Sequence, residues 1–257
     1  MSSINFKGAH IVTSSGELPQ IIIESNSNLL VKSPPLAIEL NGITGFIRNT
    51  VNTSTVIIPI DARAYFDNGS KYLGSSLKRA IGSLGIKDLN GLFPDVAGTY
   101  HQFNSSAWDT LLRLMKYLPP DYDWVCTAEE IRVFKKVPDD YLTIYPKTVI
   151  SAIDYSEHGF FNARVNSRIN PAYLDRANIP ISKNVRDYYI GRDAMNNYLD
   201  NMAPSKYNMI QFESPHTAYQ VGLGIIIEDT KYVITHSDIA MDSAMSSLGG
   251  NYRCVKV

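Results

Sequence analysis

Apolar and polar positions alternate near the end of the chain: Val221, Leu223, Ile225 and Ile227 are each two apart, and Tyr232, Ile234 and His236 repeat the spacing after the polar Glu228-Asp229-Thr230-Lys231. Alternate residues of a strand share a face, so this pattern predicts a β-hairpin with a four-residue turn. A further strand is expected from Asn251 to Val257, its residues returning to shut the sheet on itself. Val221, Leu223, Ile225, Ile227, Tyr232, Ile234, His236 and Tyr252 are therefore the candidate barrel-wall or interface positions. A closed barrel has no free edge, which makes it a durable unit for assemblies.

Short apolar segments mark residues 1–64 as all-β. Ile21-Ile22-Ile23, Leu29-Leu30-Val31, Leu36 to Leu40 and Val56 to Ile60 are separated by Gly, Pro, Ser and Asn. Glu24 to Asn28 reads as a hairpin loop, and Pro34-Pro35 as a turn or edge. From about Tyr65 the period lengthens. Leu77, Ala80, Ile81 and Leu84 fit one helical face that Gly85 would end in a left-handed conformation. A second helix starts with Ser106 and Asp109 as a capping box, runs through the stripe Trp108, Leu111, Leu112, Met115 and Leu118, and stops at Pro119-Pro120.

Asp123 to Thr127 and Ile131 to Phe134 read as a hairpin that completes a small α/β module over residues 66–137. Strand signals return at Thr148 to Tyr155, Phe160 to Ile169 and Ala177 to Ser182, with a turn at Asn170-Pro171. Val185, Tyr189, Met195, Leu199 and Met202 then fall near helical spacing before Pro204. The expected class is mainly β with α insertions. Its layout is two small antiparallel β-barrels, residues 1–65 and 138–257, separated by the module, with a helical insertion near 183–215 in the second.

Charge removes several function classes. Twenty-four Lys and Arg nearly balance 25 Asp and Glu, giving a net charge of −1, so no global field recruits nucleic acid, anionic membrane or charged substrate. Lys78-Arg79, Arg132 and Lys135-Lys136 are brief basic spots without aromatics at a stacking spacing. Cys126 and Cys254 form no CxxC and favour a reducing compartment with free buried thiols, a disulfide between them being the alternative. The N-terminus lacks the pattern of a signal peptide and no apolar run reaches a membrane span, so a soluble protein made in a cytosol is expected, without membrane insertion. The 16 tyrosines suit half-wet surfaces and also serve as ordinary strand formers.

No catalytic, cofactor or metal site is expected. His10, His101, His158, His216 and His236 are scattered, with no HxH or HExxH spacing. Glu157-His158-Gly159 reads as a polar turn, and His236 as a hydrogen-bonded structural imidazole facing a barrel interior or a partner. Gly222-Leu223-Gly224 leads into a strand and not a helix, so it lacks the N-terminus that a phosphate loop needs. Glu129-Glu130 and Asp139-Asp140 are adjacent pairs read as solvated turn residues.

Leu73-Gly-Ser-Ser-Leu-Lys-Arg-Ala-Ile-Gly-Ser-Leu-Gly-Ile86, Ser106-Ala-Trp-Asp-Thr-Leu-Leu-Arg-Leu114 and the hairpin from Asp123-Trp124 to Phe134 resemble the inserted module of the baseplate hub (tail-tip hub) proteins of long-tailed bacteriophages. Ser167-Arg-Ile-Asn-Pro171, Lys231-Tyr-Val-Ile-Thr-His236 and Tyr252-Arg-Cys254 resemble strands of their second barrel. The resemblance implies a non-enzymatic virion protein, assembled in the host cytoplasm. Three copies of two barrels each would form a pseudo-sixfold ring between the tail tube and the central spike. Its implied partners are itself as a homotrimer, the tail tube protein, spike or tail-tip proteins, baseplate wedge or distal tail proteins, and DNA passing through the lumen without specific recognition.

Three other readings compete with this one. They are another tail ring protein such as a distal tail subunit, a cell-wall hydrolase with a site assembled from distant residues, and a ligand-binding barrel with an enclosed apolar cavity.

Overall fold

The computed structural model describes residues 6–25, 36–40, 43–51, 54–58, 68–85, 88–91, 93–127, 130–147, 149–156, 162–166, 171–175, 180–184, 192–201, 206–215, 217–242 and 246–257. The chain opens with five strands, β1 (Phe6–Ser14), β2 (Gln20–Ser25), β3 (Leu36–Leu40), β4 (Ile43–Val51) and β5 (Ser54–Ile58). Next come β6 (Asn68–Ser76), helix α1 (Leu77–Gly82), β7 (Asp88–Gly91), β8 (Ala97–Ser106), α2 (Ala107–Met115), β9 (Tyr122–Cys126) and β10 (Glu130–Lys135). Then follow β11 (Leu142–Thr143), β12 (Val149–Ser156), β13 (Asn162–Asn166), β14 (Pro171–Asp175), β15 (Pro180–Asn184) and α3 (Arg192–Asp200). Four strands end the chain: β16 (Lys206–Pro215), β17 (Gly224–Ile227), β18 (Thr230–Asp242) and β19 (Ser247–Lys256).

The class is the expected one, mainly β with α insertions. Strands of the N-terminal and C-terminal β regions belong to one sheet. One 11-stranded sheet runs β12-β16-β19-β18-β1-β2-β5-β4-β3, with β17 and β11 attached beside β18. No pairing among the described residues closes that path. The join is β1, which pairs antiparallel with β2 on one side and with β18 on the other, from Gly8 opposite Asp242 to Ser14 opposite His236. A nine-residue strand carries backbone donors and acceptors on both edges, and pairing both satisfies them.

The module's local signals are present. Ser106 caps α2, accepting the Asp109 N–H at 3.0 Å and donating its hydroxyl to the Asp109 carboxylate at 2.7 Å. Gly85 follows α1 with φ +68°, the left-handed conformation expected of it. β9 and β10 form the foreseen hairpin, with Ile131 opposite Cys126, and β7 adds a parallel third strand. The antiparallel ribbon β6–β8 was not read from the sequence.

Residues 162–184 and the insertion's helix lie outside the 11-stranded sheet. β13, β14 and β15 form a small mixed sheet of their own. Helix α3 packs with the module: Ala194, Met195 and Tyr198 are buried in the core that holds Trp108, Leu111 and Tyr117. Asn197 donates to the Tyr117 carbonyl at 3.1 Å, and Asn201 donates to those of Lys116 and Leu118 at 3.1 and 2.7 Å. Those carbonyls follow the end of α2, where the helix itself offers them no N–H, and α3 supplies one. Val185, Tyr189, Met202 and Pro204 lie outside the described residues, as do Leu29-Leu30-Val31, Pro34-Pro35 and Glu157-His158-Gly159.

Two apolar cores meet at β9. Trp124 and Cys126 belong to the module core, while Val125 between them belongs to the core of the C-terminal strands. A strand directs successive side chains to opposite faces, so β9 serves as a wall shared by both cores. Ser15 forms a β-bridge with Val125, and Gly16 donates to the Trp124 carbonyl at 3.0 Å, tying the end of β1 to the same wall.

Candidate functional site

The sequence's candidate residues converge on the second core. Val221, Ile225, Ile227, Ile234 and Tyr252 are buried there with Ile210, Phe212 and Cys254, and Leu223 and Tyr232 pack against it partly buried. The hairpin turn is tighter than expected. Ile227 pairs with Thr230, leaving Glu228 and Asp229 as a two-residue loop with φ +49° and +63°. Two left-handed residues give the turn whose twist matches the strands it joins.

His236 departs from the alternation. The register slips between Ile234, opposite Cys254, and His236, opposite Arg253. Directly opposed residues share a face, so this bulge turns His236 away from the core that receives Ile234. Its Nδ1 meets the Ser14 hydroxyl at 2.8 Å across the β1–β18 seam, and two residues on, Asp238 meets His10 Nδ1 at 2.9 Å. His236 is thus a structural, hydrogen-bonded imidazole, as expected, but on the outer face.

Burial, and then the Arg253 charge, hold the His236 pKa below its ordinary 6.5, with Asp238 and Glu17 opposing them. The unfolded chain therefore binds the extra proton first. Stability from this group is complete above about pH 6.5 and falls as pH drops toward the lowered folded value. Thermal melts between pH 7.5 and 5 should show the wild type losing more stability on acidification than His236→Gln; equal losses would remove the assignment.

Tyr252 anchors the other end of the site. It stacks on Phe212 at 5.1 Å and meets Tyr219 edge-on at 5.3 Å. Its hydroxyl donates to the Thr217 carbonyl at 2.9 Å and accepts the Tyr219 N–H at 3.0 Å. One side chain thereby satisfies two backbone groups of the segment leading to the hairpin.

Two contacts fasten that hairpin to the module. Gly222, at φ +89°, lies under the Phe134 ring, where any Cβ would come within 2.7 Å of Phe134 Cγ. The strand starts two residues later at Gly224, so the glycines do lead into a strand. The Arg132 guanidinium donates to the Gln220 side-chain oxygen and the Val221 carbonyl. Arg132 is a clamp between the two cores, while Lys135 pairs with Asp139 at 2.8 Å on the surface.

The remaining chemistry is similarly structural. Cys126 and Cys254 are both buried and not linked to each other, and burial pushes the Cys254 thiol well above its usual range. Asp123, beside Lys136, accepts the Trp124 N–H at 2.8 Å, and burial raises its carboxyl pKa. Among the described residues no group of His, Cys, Asp and Glu is arranged to hold a metal ion. No helix among them is long and apolar enough to cross a membrane.

No protein-family model matches the sequence, and no curated protein matches it. Solved structures do share its fold. A tail protein from Neisseria meningitidis MC58 matches with a TM-score of 0.60 at 10% identity, over 98% of this chain and 92% of that one. The 43 kDa tail protein of prophage MuSo2 from Shewanella oneidensis matches with 0.54 at 12% identity, over 98% and 94%. A component of the E. coli type VI secretion system, itself structurally similar to the T4 bacteriophage tail proteins gp27 and gp5, matches with 0.54 at 10%, over 100% and 75%. The mainly-β architecture described above, taken over nearly its whole length, is therefore the fold of phage tail proteins.

Proposed function

We propose that this chain is a structural subunit of a phage-type tail, and within it the baseplate hub. The carrying observation is the extent of the match: 98% of this chain aligns with 92% of a tail protein, so the large sheet and the module are shared together. In this reading three copies form a ring that joins the tail tube to the central spike, adjoins wedge or distal tail proteins, and lines the DNA channel in the virion. Two β regions per chain let a threefold partner meet a sixfold one. The net charge of −1 suits a lumen through which DNA must pass without being held by phosphate contacts. The site residues act as wall and scaffold, and the work is done by interfaces, without catalysis.

Oligomeric state tests the proposal. Light scattering on purified protein over rising concentration should report a trimer or larger ring, and electron micrographs should show a central hole. A strictly monomeric species at the highest concentration would overturn the hub assignment.

A further inference from the structure

Between the end of α2 and the C-terminal strands, the described residues leave a cleft of about 790 Å³ that opens to solvent. Its floor is a cross-strand row in which Met209 lies opposite Val255 and Val255 opposite Val233. Neighbours along a strand face opposite ways, so this row is on the side of the sheet away from Ile210, Ile234 and Cys254. Leu112, Met115 and Phe134 contribute apolar wall. The floor and walls come from both bodies joined at β9, and such junctions are where binding clefts concentrate.

Side-chain charge around this apolar trough is mostly positive. Lys116, Lys136 and Lys256 line it, against one carboxylate side chain, Asp123, that already accepts the Trp124 N–H. A small ligand is normally engulfed over most of its surface, which a trough open to solvent does not do. A chain lying along it needs to bury only one side, and its backbone can remain in water. We propose that this cleft docks an extended peptide segment of a partner protein, with apolar side chains set on the Met209–Val255–Val233 row and flanking Asp or Glu residues facing the three lysines.

Calorimetric titration of the full chain tests this with three probes: the peptide Glu-Leu-Phe-Leu-Glu, capped at both ends, the same peptide with Lys for Glu, and dodecanoate. The acidic peptide should bind, and change the emission of Trp124 in the cleft wall. Reversing two cleft charges in Lys136→Glu/Lys256→Glu should weaken it about tenfold or more, because opposed charges become like charges. For wild type, raising the salt from 50 to 500 mM should weaken it as well, a readout that needs no variant to fold. The inference falls if the acidic peptide does not bind, if the Lys peptide binds equally well, if salt has no effect, or if dodecanoate alone binds. Because the argument uses only the cleft, a ring that ignores the peptide removes this inference alone, and a monomer that binds it removes only the hub reading.

Discussion

Tyr252→Ala lowers the stability of the chain by about 3–5 kcal/mol, the usual cost of deleting a large buried aromatic side chain. The residue is fully buried, and its ring closes the stack with Phe212 and Tyr219. Truncation removes that packing and both hydroxyl bonds together. Tyr252→Phe separates the two contributions. It keeps the ring and leaves the Thr217 carbonyl and the Tyr219 N–H without the hydroxyl, for about 1–3 kcal/mol. Chemical denaturation followed by far-UV circular dichroism measures both. A phenylalanine variant equal to wild type would mean that the hydroxyl does not hold the 217–219 segment, and an alanine variant equal to it would remove the packing argument.

The second large effect concerns the helix at 192–200. Met195→Ala should cost about 2–5 kcal/mol, since Met195 is fully buried in the module core. Both tryptophans of the chain, Trp108 and Trp124, are in that core, with ring centroids 5.9 Å apart. Their fluorescence therefore reports the helix's contribution directly. If α3 completes the module, the tryptophan-detected midpoint in guanidinium moves down with the substitution. An unmoved midpoint would make α3 an independent appendage of the strands that flank it.

These two residues show what could and could not be read in advance. Tyr252 was a candidate because it lies in a strand-like run near the hairpin, a local signal. Its hydroxyl partners are more than 30 residues away in sequence, and no periodicity encodes them. Met195 carried a helical spacing, which predicts a helix but not the surface on which it packs. The capping residues Ser106 and Asp109 were legible because a cap is completed within three residues. Alternation left His236 facing either a barrel interior or a partner, and one bulge turned it to the outer face; a register slip is set by the partner strands β19 and β1, not by the residues of β18 alone. Arg132 resembled a stray basic residue until the fold brought Gln220 and Val221 to its guanidinium.

By itself the sequence determined the elements: the short apolar run of β2, the period-two runs of β17 and β18, the capped stripe of α2, the stop at Pro119-Pro120, the balanced charge and the buried thiols. Each depends on interactions that a few neighbouring residues complete. Only the tertiary structure decided that β1 joins β18 across more than 220 residues, that β9 is shared by two cores, and that a lysine-rimmed trough opens between them. Backbone hydrogen bonds pair any strands of compatible register and apolar burial has no direction, so which surfaces meet is settled by the competition of the whole chain for its one compact arrangement.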